Sequence, residues 1–294
     1  MRIKRRDFLK RSALGVGGVL AGARFATADE PTGLKFDPYG PITLGQSKIK
    51  MSRLCLGTGV HGGNRASNQT RMGKEKFEAL IKGSYERGVR VFDLADLYGT
   101  HPYLVPALKG IPRDDYVIIT KIWWNTGGIP EKERPDADVV IPRFLKEIGT
   151  DYLDLVLLHC VTSPKWPDEL SKQMSILSDF KKKGAIRAHG VSCHTLAALQ
   201  LAAATPWVDV DQARVNPDGI LMDADPATVI ALLRQMKASG KGIIGMKILG
   251  EGQLGNDLDR AIAHAVGLDA IDAFTIGFVS TTQMDEVVQK IATV

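Results

Sequence analysis

The chain has 294 residues, 44% hydrophobic and 24% charged, an ordinary globular composition. Its formal charge of +5 is not spread evenly: seven of the 38 Lys/Arg but one of the 33 Asp/Glu fall within residues 1–28. The remaining 266 residues carry a net charge of −1, so a nucleic-acid partner has no electrostatic support.

The first 28 residues read as a targeting segment. Arg5-Arg6-Asp7-Phe8-Leu9-Lys10 resembles the twin-arginine export signal. A Gly/Ala-rich, weakly apolar run follows from Ser12 to Ala23, and Ala26-Thr27-Ala28 supplies an A-x-A cleavage site. The resemblance implies the twin-arginine translocation machinery as a partner, a periplasmic or otherwise exported product, and a cofactor loaded before export. The run is too short for a comfortable span, so no stable membrane anchor is expected after cleavage. Three cysteines, Cys55, Cys160 and Cys193, are no disulfide framework, although one pair could form in an oxidising compartment.

Residues 29–50 are polar and Gly/Pro-rich, an arm or hairpin closing one end of the fold. A strand–helix period then runs to the C-terminus as one domain, residues 51–294. Strands are predicted at 53–59, 89–93, 116–121, 153–159, 185–192, 208–212, 243–247 and 273–278. Helices are predicted at 74–87, 103–108, 138–148, 167–183, 195–204, 226–239, 256–266 and 282–292. Phe77, Leu80, Ile81 and Tyr85 should face inward from the first. Val139, Val140, Phe144 and Leu145 should do so from the third. Lys181-Lys182-Lys183-Gly184 reads as a helix C-terminus and dipole partner.

Eight such units in about 240 residues favour a closed (β/α)8 TIM barrel over an open sheet. The loop Gly57-Thr58-Gly59-Val60-His61-Gly62-Gly63 has glycines, but it matches neither G-x-G-x-x-G nor a P-loop in context. The stretch Phe92 to His101 stands apart. Asp93 and Asp96 fall where a buried strand should end, and Tyr98-Gly99 opens the next connection. Buried carboxylates need partners, and α/β enzymes place their chemistry at strand ends.

These residues resemble the aldo-keto reductases. Gly88-Val-Arg-Val-Phe-Asp93-Leu-Ala-Asp-Leu-Tyr98-Gly99 is similar to the family's G-x-x-x-F-D-T-A-x-x-Y-G. Asp151 to His159 resembles D-Y-I-D-L-x-x-x-H, and Gly184 to Ser192 resembles G-K-I-R-x-x-G-V-S. The likeness covers roughly residues 40–290. It implies reduction of aldehyde or ketone carbonyls by hydride transfer from NADPH or NADH. Tyr98 would then be the proton donor, Lys121 and Asp93 the pair that lowers its pKa, and His159 the carbonyl orienter. The same resemblance implies cofactor contacts from Gly57, Thr58, Ser192, Cys193, Gln212, Met246, Lys247, Ser280 and Gln283.

Three positions depart from the family pattern. Cys193 stands where the family has Asn. Met246 stands where many members stack a tyrosine under the nicotinamide. The loop around Ser280 lacks the basic pair expected to hold a 2′-phosphate, which leaves the choice of NADH or NADPH open. Two other readings follow: an exported barrel that has lost cofactor turnover and serves as a binding or accessory protein, and a metal-dependent barrel enzyme built on His159, Cys160, Cys193 and His194. Trp123 and Trp124 would line a substrate pocket or pack beneath it.

Overall fold

A computed structural model describes residues 36–294; the leader at 1–28 lies outside the described residues. A short antiparallel hairpin comes first, β1 (Pro41–Thr43) and β2 (Lys50–Ser52). Eight parallel strands follow: β3 (Leu54–Gly57), β4 (Val91–Asp93), β5 (Val117–Ile122), β6 (Leu153–Val161), β7 (Ile186–Cys193), β8 (Val210–Arg214), β9 (Gly242–Met246) and β10 (Ala273–Gly277). They form a closed barrel in sequence order, and β10 pairs with β3 from Phe274↔Leu54 to Gly277↔Gly57. Closure removes both sheet edges.

Period-two alternation in each strand builds two apolar layers. Val91, Val117, Ile119, Leu155, Leu157, Ala188, Val210, Ile244 and Ala273 fill the barrel interior. Phe92, Ile118, Val156, Leu158 and Val191 face the helices instead. Leu44, Ile49 and Met51 from the hairpin join the interior set and plug the amino-terminal end. The same alternation, continued toward the carboxyl ends, turns Asp93, Lys121, His159, Ser192, Gln212 and Thr275 inward. All six are buried. The barrel core is therefore apolar below and polar at its mouth, where this architecture places function.

The helical face at residues 137–148 differs from expectation. The helix Ala137–Ile148 buries Ala137, Val140, Ile141, Phe144 and Ile148, while Val139 is 55% exposed. An inward stripe at 137, 140, 141, 144 and 148 follows the helical period and leaves 139 on the opposite side. The helix predicted at 167–183 is broken at Leu170 into Trp166–Glu169 and Ser171–Lys182. Residues 103–108 hold only the single turn Leu104–Ala107 after a 3-10 turn. At the lysine run, Lys181 pairs with Asp209 at 2.5 Å, Lys182 pairs with Asp179, and Gly184 adopts φ +78°.

Candidate active site

Four side chains from neighbouring barrel segments meet at the mouth. Asp93 ends β4, Tyr98 closes the 3-10 turn Asp96–Tyr98, Lys121 lies in β5 and His159 in β6. Lys121 Nζ donates to Asp93 Oδ1 and, at 3.0 Å, to the Leu94 carbonyl. Gln212 Nε2 donates to Asp93 Oδ2 at 2.7 Å, so both carboxylate oxygens are held. Tyr98 Oη and His159 Nε2 are 3.2 Å apart, with the two rings edge to face. The Lys121 ammonium lies 5.1 Å from the Tyr98 ring centroid. Glycines admit the phenol: a Cβ at Gly59 or Gly62 would run into its ring.

The electrostatics correct one expectation. Burial first, and the Asp93 charge second, push the Tyr98 phenol well above its ordinary value. The net direction is upward despite the nearby Lys121 ammonium, whose hydrogen bonds go to Asp93 and the Leu94 carbonyl. Burial, then the charge of Lys121, hold His159 well below its ordinary value, so the imidazole is neutral at pH 7. The phenol is thus loaded with its proton and faces a neutral ring nitrogen.

The end of β6 is locally irregular. The β6–β7 register shifts between Leu158 and Val161, and Cys160 takes φ +55° directly after His159. Such a bulge re-aims the side chains beside it. Cys160 N–H donates to Ser192 Oγ at 3.0 Å, and the His159 carbonyl accepts from Trp124 Nε1 at 2.8 Å. Trp123 stands edge-on to the His159 ring, 5.3 Å between centroids. One tryptophan therefore faces the site and the other braces it.

A cleft of about 370 Å³ opens beside Tyr98, lined by Gly57, Asp93, Gln212, Met246, Lys247 and Gln283 of the expected site. Its wall also includes His61. Asn68, Glu251 and Thr275 line it too, and these the sequence reading missed. Thr275 had one legible signal, a lone hydroxyl at an inward position of an apolar strand. Thr58, Ser192 and Cys193 do not line the cleft. Thr58 Oγ1 donates to the Asp93 carbonyl at 2.7 Å, and Ser192 Oγ accepts from Cys160. Cys193 is one residue out of phase with the inward set of β7, so it packs under the helices. Ser280 caps the helix Thr281–Ile291 by accepting from Gln283 N at 3.2 Å, while Val279 and Gln283 flank it on the cleft wall.

A nicotinamide cofactor fits this cleft. Gln212 Oε1 and Thr275 Oγ1 are buried and unpartnered at its floor, where a carboxamide or ribose hydroxyl would satisfy them. Gly57 beneath leaves no room for a Cβ beside Thr275. For the metal alternative, Cys160 Sγ and His194 Nε2 lie 3.3 Å apart, but no group of three candidate ligands stands together among the described residues. All three cysteines are free thiols.

The comparisons with known proteins agree with this geometry. The sequence model of the aldo/keto reductase family matches residues 53–293. This chain belongs to the aldo/keto reductase family. Aldo-keto reductases are NAD(P)H-dependent oxidoreductases, and the chain is one of them. Aldo-keto reductase AFTS1 of Alternaria alternata is 25% identical over 283 residues, covering 84% of this chain and 74% of its own. NADH-specific methylglyoxal reductase of Escherichia coli is 28% identical over 167 residues, about half of each chain (51% and 51%). Among solved structures, an aldo-keto reductase from Klebsiella pneumoniae in complex with NADPH superposes with a TM-score of 0.62 at 19% identity. That match covers 86% of this chain and 88% of the other. The last likeness speaks for the fold alone.

On β8, beside Cys193, this reductase also buries Asp211 completely. Burial, then the charge of Asp223, push it up to about 8. An unfolded aspartate titrates near 3.9, so between about pH 4 and 8 the folded state binds more protons than the unfolded. Stability should therefore fall as pH rises through that window. Asp211→Asn keeps a neutral side chain at every pH. Urea midpoints should show it more stable than the parent at about pH 8, by about 1–3 kcal/mol, and closer to it at about pH 5. Parallel curves for the two proteins would contradict this.

Proposed function

We propose that this aldo-keto reductase reduces small aldehydes or ketones with NAD(P)H, with Tyr98 as the proton donor. The observation that carries the reading is the bond between the protonated Tyr98 hydroxyl and neutral His159 Nε2, beside the Asp93–Lys121 pair. The bound cofactor supplies the hydride. Gln212, Thr275, Met246 and Lys247 would hold its nicotinamide end, and Val279 and Gln283 the far end. A carbonyl oxygen placed between Tyr98 Oη and His159 Nε2 would accept a hydrogen bond from each. Tyr98 then gives its proton to the developing alkoxide. As the phenolate forms, the Lys121 ammonium stabilises it, fixed in place by Asp93, which Gln212 holds in turn. Trp123, edge-on to the His159 ring, would shield that side of the reacting carbon from water.

Methylglyoxal, the substrate in the name of the Escherichia coli relative, is the first probe of substrate class. Aldehyde-dependent oxidation of NADH or NADPH should appear with the purified protein. Its absence across a panel of small aldehydes and ketones would count against the reading. The second reading, a barrel without turnover, draws on Lys247: the cation on the cleft wall is paired with Glu251 rather than free for a phosphate. Bound nucleotide without turnover would favour it.

Export through the twin-arginine route belongs to the same proposal and rests on residues 5–10 and 26–28. Replacing both arginines, Arg5→Lys with Arg6→Lys, should leave the protein in the cytoplasm on fractionation. Unchanged export would overturn it.

A further inference from the structure

The 3-10 turn that carries Tyr98 is clamped by a carboxylate that the proton-transfer set leaves unused. Asp96 opens the turn and is 4% exposed, although the bare turn could hold it in solvent. Its partners come from two other segments. Arg143, on the helix Ala137–Ile148, grips it with both nitrogens, Nη1 to Oδ1 at 3.0 Å and Nη2 to Oδ2 at 2.5 Å. Arg65, from the loop after β3, donates through Nε to Oδ1 at 3.1 Å. Each arginine is anchored in turn. Arg65 reaches Glu133, and Arg143 Nη1 donates to Glu147 Oε1 at 2.8 Å. Glu147 Oε2 lies 2.9 Å from His101 Nδ1, whose Nε2 meets Thr120 Oγ1 at 2.7 Å, one residue before Lys121.

The backbone repeats the clamp. Arg65 N–H donates to the Leu97 carbonyl at 2.9 Å, and Gly99 N–H donates to the Asp96 carbonyl at 3.1 Å. Gly99 sits at φ +68° with the Arg65 carbonyl where a Cβ would be. The turn is thus pinned on both sides of Tyr98, and its one charged pin is Asp96.

We infer that Asp96 is a positioning residue for proton transfer: bridging Arg65 and Arg143, it fixes the turn that aims Tyr98 Oη at His159 and at the substrate oxygen. This rests on the proton-donor reading of Tyr98. Two features separate the inference from mere stability. Asp96 reaches neither the cleft wall nor the Asp93–Lys121 pair, so nucleotide binding should not depend on it. A fork-to-carboxylate pair sets direction as well as strength, which a point charge does not.

The test uses the full chain with Asp96→Asn, and with Arg143→Lys in case the first fails to fold. Turnover with methylglyoxal should fall about ten- to a hundredfold, the scale of a misaligned catalytic group. The Kd for NADH and NADPH should stay within about twofold, since the cleft is untouched. Arg143→Lys keeps the charge and loses the fork, and should show the same split between kcat and Kd at smaller size. The double variant should be no slower than Asp96→Asn alone, because both changes release one clamp. Turnover kept within twofold, or lost in proportion to nucleotide affinity, would overturn the inference. A parent protein that binds no nucleotide would instead sink the reductase reading. Amide exchange at Tyr98 and Gly99 would then decide the clamp: Arg143→Lys must speed it while leaving β5 and β6 unchanged, and equal protection in both proteins would refute it.

Discussion

Tyr98→Phe is expected to abolish carbonyl reduction while nucleotide affinity changes by no more than a few fold. The substitution removes one oxygen and leaves the ring that Gly59 and Gly62 make room for, so the packing of the turn is kept. The proton loses its source, because burial has raised the phenol and kept it protonated, and its neighbour His159 is neutral. A positioned acid contributes about 10²–10⁴ in rate, and the loss should lie in that range. It should fall on kcat, since Tyr98 supplies the proton only as the alkoxide develops. Steady-state turnover and nucleotide titration on one preparation check both halves. Full activity in the variant would move the proton donor elsewhere.

Lys121→Met should have the second largest effect, and it acts on stability as well as turnover. Lys121 is 1% exposed and Asp93 is 5% exposed. Removing the cation leaves a buried carboxylate with Gln212 Nε2 and no compensating charge. Breaking a buried pair from one side costs about 3–5 kcal/mol. The double variant Asp93→Asn with Lys121→Met removes both charges and should recover most of that stability. It should recover none of the activity, because the phenolate left after proton transfer still lacks its ammonium. Urea unfolding of the two variants, beside their turnover, separates the roles. If Lys121→Met were as stable as the parent, the pair would not be the buried, mutually dependent couple described.

Much of this arrangement was legible because barrel strands are buried on both faces. The run Leu-Asp-Leu-Val-Leu-Leu-His at 153–159 admits few assignments other than an interior strand, and eight such runs separated by helical stretches dictate the closed sheet. Asp93, Asp96 and Tyr98 stood out as polar groups where a buried strand ends, whereas Lys121 and His159 were singled out only through the resemblance of their strands to the family motifs. What stayed hidden depends on long-range neighbours. Gln212 reaches Asp93 across 119 residues of chain, and no local pattern announces that bond. Phase misled at Cys193, which motif alignment placed beside the cofactor and strand alternation turns outward. The direction of the Tyr98 shift was also hidden. It depends on how deeply the phenol is buried and on where the Lys121 hydrogen bonds go. Val139 shows the helical counterpart, since one apolar residue can fit two adjacent stripes until the helix is docked.

The measurement that tests the central claim most directly is a titration of the protein with NADH and with NADPH, read by quenching of tryptophan fluorescence. Trp123 stands 5.3 Å from the His159 ring, so it reports on the site itself. Saturable quenching by at least one nucleotide, with about micromolar affinity and retained in Tyr98→Phe, is the predicted result. Unchanged fluorescence and no binding of either nucleotide would contradict the account, leaving the barrel in place without the reductase chemistry assigned to its mouth.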